Sequence, residues 1–162
     1  MKTLILFISV ALTVIPADIS AVREKYISAA TSEQAAKELD AMLESVDENS
    51  KNTTMVAYKA ASVTLQAKYA KGLLVKKNLF TKGAKLLEAT VARDPDNYEV
   101  RLIRLNIQEN APKITGYNDD IESDKAFLAK HYSTQPADLK LFTKNFIKNS
   151  ASFSETEKGA FK

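Results

Sequence analysis

Apolar residues recur at three- and four-residue intervals along almost the whole chain, and no stretch of useful length alternates apolar with polar positions. The first pattern buries one stripe of a helix and the second one face of a strand, so the sequence predicts an all-α fold. Four glycines and four prolines punctuate it, dividing the chain into antiparallel helical hairpins that form a small bundle. The first helix is expected at about 18–30. The second is expected at 32–46, opened by Thr31 with Gln34 three residues on as a capping box. Residues 47–53 are polar and form a loop. A third helix is expected at 54–71, then a turn from Gly72 to Lys77, then a fourth helix at 78–93. Asp94, Pro95, Asp96 and Asn97 break the chain and cap a fifth helix at 98–110, which Pro112 and Gly116 end. Two more helices follow at 118–131 and 136–149, and Ser154 with Glu157 caps a short last turn.

Three helices carry further information in their patterns. The third has Tyr58, Ala61, Leu65 and Tyr69 on one side and Val56, Ala60, Val63, Ala67 and Ala70 on the other. A helix apolar on both sides is packed from both sides, which places this one at the centre of the bundle. The fourth is amphipathic, with Leu79, Phe80, Gly83, Leu86, Leu87, Thr90 and Val91 inward. The fifth has two apolar faces, Val100 with Ile103 and Ile107, and Tyr98 with Leu102 and Leu105. At 100° per residue, Arg101, Arg104 and Gln108 fall together between those faces. The expected core is Leu65, Tyr69, Leu86, Leu87, Leu102, Ile103, Leu105, Ile107 and Leu128.

Gly83, Leu87 and Pro95 stand where a tetratricopeptide repeat places a small residue, a large apolar one and proline. The stretch from the third helix through Asn97 thus resembles one such unit, although Leu74 replaces the usual aromatic and Lys71 the usual small residue. A second pattern comprises Leu87, Glu88, Pro95, Asn97, Glu99, Arg101, Arg104, Leu105, Gln108, Asn110 and Pro112, followed by Tyr117 and the pair Asp124 and Lys125. It resembles a family of small exported bacterial proteins, and the resemblance implies an all-helical fold while supplying no activity.

Composition changes the picture at the N-terminus. Lys2, an apolar run over 4–15, Pro16 and Ala17 have the layout of a secretory signal peptide. The run is shorter than the roughly 20 apolar residues that span a bilayer. The expected division is a signal peptide at 1–17, with cleavage after Ala21 as the alternative, and a single helical domain at 18–162. No transmembrane segment remains after cleavage, and the product is periplasmic or secreted. The chain has no cysteine, so packing without disulfides must hold it together. Removing Lys2 leaves 22 of 23 basic residues against 20 acidic ones, a net charge of +2. A nucleic-acid partner would call for a strong, clustered positive excess and is not expected.

Candidate chemistry gathers on the fifth helix. Guanidinium groups grip carboxylates and phosphates in a forked geometry, so Arg101, Arg104 and Gln108, with Asp124, form a candidate ligand-binding set for an anionic group such as a peptide terminus. The competing reading is an internal ion-pair network with Glu88, Glu99, Asp120 or Asp124 that fixes helix register. Asp124 shares a face with Ile121 and Leu128, so it should point toward protein and meet Arg101 or Arg104. His131 lies on the face of Asp120 and Asp124, but no nucleophile or metal set accompanies it, and no catalytic residue is assigned. One histidine in a cysteine-free chain does not make a typical zinc site. The acidic groups at 94–99 and 118–124 lack the loop glycine and ligand spacing of an EF-hand; no metal and no cofactor are expected. Lys68, Lys71, Lys76, Lys77, Lys82 and Lys85 crowd one hairpin end, where a membrane or polyanion contact competes with an ordinary solvated surface. The expected function is that of a non-enzymatic envelope protein binding a peptide or protein partner. The alternative is a small enzyme built around Arg101, Arg104 and Asp124.

Overall fold

The structure, a computed structural model, describes residues 18–162; the expected signal segment lies outside them. Among the described residues the chain forms eight α-helices and no strand. They are α1 (Ile19–Ala29), α2 (Glu33–Leu43), α3 (Thr53–Tyr69), α4 (Leu73–Arg93), α5 (Tyr98–Asn110), α6 (Ile121–His131), α7 (Ala137–Asn149) and the single turn α8 (Glu155–Lys158). Among the described residues no helix is long and apolar enough to cross a membrane.

Side-chain caps set several helix starts. Asp18, Asn52 and Asn97 accept backbone N–H bonds from Ser20, Met55 and Val100, satisfying donors that the first turn leaves free. Ser154 and Glu157 form the expected reciprocal capping box on α8. Ser32, rather than Thr31, opens α2, its hydroxyl accepting from the Ala35 N–H. Thr31 still belongs to the turn that closes α1, where its N–H bonds Ser28, and Gln34 reaches along the helix to Glu38.

The larger difference is at α4, which begins at Leu73 rather than at residue 78. Gly72 makes the turn, with φ +88° in the region that glycine enters without steric cost. Residues 73–77 are then free to extend the helix, although they bury nothing: the segment from Lys71 to Asn78 is exposed throughout. A first turn without an inward apolar stripe reads as loop, yet it propagates from a helix already anchored further along.

Two hydrophobic clusters share α5. Val100, Ile103 and Ile107 join α1, α2, α3 and α4 around Val22, Leu39, Leu43, Tyr58 and Leu87. Tyr98, Leu102 and Leu105 join α6, α7 and the C-terminal segment around Leu128, Ile147, Phe153 and Phe161. The two apolar faces of the fifth helix thus close two cores. Of the expected core, Leu87, Leu102, Ile103, Leu105, Ile107 and Leu128 are buried, while Leu65, Tyr69 and Leu86 pack at the margin of the first cluster. Helix α3 packs against α1, α2, α4 and α5, the central position its two-sided pattern requires. Its approach to α4 is close at Gly83, where an added Cβ would lie 2.7 Å from the Ala60 carbonyl oxygen and 2.9 Å from the Thr64 nitrogen.

Candidate functional site

Between its two apolar faces, α5 carries charged side chains toward both ends of the chain. Arg101 and Arg104 stand one turn apart and converge on Asp124 of α6, which is fully buried. Arg104 grips it with two parallel bonds, Nε to Oδ2 and Nη2 to Oδ1, both 2.8 Å. Arg101 donates from Nε to Oδ1 of the same carboxylate, while its terminal nitrogens reach the Pro95 and Ser123 carbonyls at 3.3 and 3.4 Å. Its guanidinium also lies 4.6 Å from the Phe127 ring centroid, within cation–π range. The remaining nitrogen of Arg104 meets Glu88 at 3.0 Å and Asp120 at 3.3 Å. Tyr117 donates its hydroxyl to the other oxygen of Glu88. The contact expected between Asp124 and the arginines is therefore present with both of them.

Electrostatics follow from this geometry. Burial alone would depress Arg104, but the carboxylates of Asp124 and then Glu88 hold its charged form above the ordinary guanidinium range. Burial, then Glu88, pushes the Tyr117 phenol upward. Two arginines meet three carboxylates here, from Asp124, Glu88 and Asp120, so the group carries a formal excess of one negative charge. Such a group does not attract a further anion. Gln108, the third member of the polar strip, is buried with its side-chain carbonyl oxygen free of any hydrogen-bond donor.

A second network lies one turn earlier on α5. Glu99 accepts from Arg23 of α1 at both oxygens, each at 2.7 Å, and from the Tyr58 hydroxyl of α3 at 2.7 Å. Arg23 also reaches Asp138 of α7 at 2.6 Å. Hydrogen bonding to Glu99 raises Arg23 against the effect of burial, and burial followed by the charge of Glu99 raises Tyr58. Glu99 is thus engaged by α1 and α3 and is not a partner of Arg101 or Arg104. The sequence offered little to find this: Arg23 lies 76 positions away, on a helix whose apolar pattern is weak.

The other candidates separate. His131 ends α6 with its ring 4.5 Å from that of Phe127, and the Asp124 oxygens it would need are bonded to arginine. In the acidic run around Pro95, Asp94 accepts from Thr53 and Asn97, which hold its carboxyl below its ordinary value, while Asn97 caps α5. Among the described residues no group of three or more histidine, cysteine or acidic side chains is arranged to hold a metal. Lys125, adjacent to Asp124 in sequence, turns the other way to bond Glu122 and Glu157 at 3.2 and 3.0 Å.

Surface concavity lies elsewhere. A shallow depression of about 380 Å³ runs along the outer face of α4, lined by Lys82, Lys85, Leu86, Ala89 and Arg93 with Glu48 and Asn49 from the α2–α3 loop. The α4 residues form one stripe, with Lys82, Leu86, Ala89 and Arg93 at successive steps of three or four and Lys85 beside Leu86. The class defined by these features is an all-α bundle whose charged side chains tie helices together. Compared with known protein families, with curated proteins and with solved structures, the chain matches none.

Proposed function

We propose that the protein is an exported, non-enzymatic helical module that binds a peptide or protein partner in the cell envelope through the outer face of α4. The observation that carries this reading is the open stripe of Lys82, Lys85 and Arg93 around Leu86 and Ala89. Cations flanking an apolar floor suit a partner segment that pairs aliphatic side chains with carboxylates. A flat, open depression of this kind excludes water from no reacting group, whereas chemistry between Arg101, Arg104 and Asp124 would require opening the bonds that already join them. Anion capture by Arg101, Arg104 and Gln108 likewise calls for displacement of Asp124. The α3–α4 hairpin, with Gly83 at its close approach, supports the likeness to one tetratricopeptide-type unit, a scaffold that presents helix faces to peptides.

Affinity purification of the protein from its own envelope, alongside the Lys82→Glu/Lys85→Glu/Arg93→Glu variant, tests the proposal. All three residues are exposed, so folding should be unchanged, and the variant is expected to lose the co-purifying partner. An identical partner set for both proteins contradicts a binding face on α4.

A further inference from the structure

The start of α4 carries a feature that partner binding along its later turns does not use. Leu73, Leu74 and Val75 are 84, 71 and 49% exposed, and Lys68, Lys71, Lys76 and Lys77 stand exposed around them. Between residues 49 and 87 the sequence has eight lysines and no aspartate or glutamate, in a chain with 20 acidic residues. Lysines near a helix start oppose the positive end of its dipole, and no acid in the first turn of α4 compensates them. Exposed leucines there bury nothing. Lys68 and Lys76 bond the carbonyls of Ala30 and Lys68, but the exposed leucines make no such contribution to the fold.

One further turn gathers toward the same end. Lys68 and Tyr69 at the end of α3 donate side-chain bonds to the carbonyls of Ala30 and Ala29, at 2.5 and 2.8 Å. This ties the α1–α2 turn, close to the exposed Ile27, to the last turn of α3. On the far side of α4, Tyr117 packs edge-on against Phe80 at 5.8 Å and bonds Glu88, so the loop bearing it lies along the middle of that helix, away from the tip.

We propose that this end of the bundle docks on an anionic lipid surface. Leu73 and Leu74 enter the headgroup layer, and the lysines lay their stems along its boundary with the ammonium groups on lipid phosphates. Charge complementarity selects this occupant. A second copy of the chain would set lysine against lysine, and Glu33, the acid that lies near Lys71, is already paired with Lys37 at 2.8 Å. The surface is also a projecting tip and not a groove, so a deformable lipid layer can surround it. Docking is independent of the partner face proposed above.

The chain has no tryptophan, so a single introduced one reports its own surroundings. In the full chain, Leu74→Trp places the reporter at the tip and Leu141→Trp places it on the solvent face of α7, near the end where Asp138 meets Arg23. With vesicles containing phosphatidylglycerol, Leu74→Trp fluorescence should shift to shorter wavelength and Leu141→Trp should not. Pure phosphatidylcholine vesicles should give no shift, and high salt should reverse the first one. Adding Lys76→Glu/Lys77→Glu to Leu74→Trp should weaken the response by about 25-fold or more, roughly fivefold for each lysine lost. An unshifted Leu74→Trp, equal shifts at both sites, or a response indifferent to the two lysines overturns the proposal. So does sedimentation showing that the tip substitutions abolish self-association, which would assign the surface to a second copy.

Discussion

Glu99 shows how one side chain can be committed by its surroundings. Nearly buried on α5, it accepts two bonds from Arg23 and one from Tyr58, and each donor offsets part of the cost of removing a carboxylate from water. Tyr58→Phe deletes one donor and almost no volume. It is expected to lower stability by about 1.5–3 kcal/mol, the range for hydrogen bonds to charged groups, as read by urea unfolding; an unchanged midpoint would show that the hydroxyl contributes nothing. Asp124 was legible in the sequence because its helical phase with Ile121 and Leu128 sends it inward, where only a cation or several donors can receive it. Arg23 was not. Its helix is short and mixed in pattern, and nothing local announces that it crosses to α5 and α7. Local phase reveals that a charge is buried, whereas the identity of its partner depends on how distant helices dock.

Among elements, the α3–α4 hairpin depends on Gly83. A Cβ at this position would approach backbone atoms of α3 at 2.7 and 2.9 Å, which no side-chain rotation relieves. Gly83→Ala should therefore destabilise by about 1–3 kcal/mol through overpacking, despite the roughly 1 kcal/mol that alanine gains in helix propensity. Thermal melting that matches or exceeds the parent would mean the helices separate freely. The phase of α5 was the most legible feature of all: both apolar faces found cores. The start of α4 was not, because a helical turn in solvent leaves no periodic trace and only the positive φ of Gly72 permits it. The C-terminal turn was legible from Ser154 and Glu157 alone. The Ser154 backbone N–H, then Lys125 and the Ser154 hydroxyl, hold the Glu157 carboxyl at about 2, below its ordinary 4.5. A depressed folded-state pKa gives stability that is present above the unfolded value and lost as pH falls through the folded one. The melting temperature should therefore decline between about pH 4.5 and 2, and Glu157→Gln should flatten part of that decline. Superimposable pH profiles would contradict the assignment.

At the scale of the molecule, α5 is the wall between two cores and also the carrier of the charges that hold them in register. Glu99 ties it to α1 and α3, Arg104 to α4 and α6, and Arg101 to α6. Apolar packing alone tolerates sliding of one helix along another, while forked guanidinium–carboxylate bonds have a single geometry. A cysteine-free chain with two modest cores gains a defined arrangement from them. The two binding surfaces proposed, the outer stripe of α4 and its lysine-rich tip, lie outside these networks.

The central claim, that the arginines of α5 serve the fold, is tested most directly by a double-mutant cycle on Arg104 and Asp124. Each is replaced by alanine singly and together, and the unfolding free energies are compared. If the pair is structural, either single change removes the forked partner of a buried charge, leaving Asp124 with Arg101 alone or Arg104 with Glu88 and Asp120, and costs up to about 3–5 kcal/mol, while the double variant loses much less than the sum of the two. Single variants as stable as the parent, with a coupling energy near zero, would contradict the account and return Arg104 to the service of an outside anion.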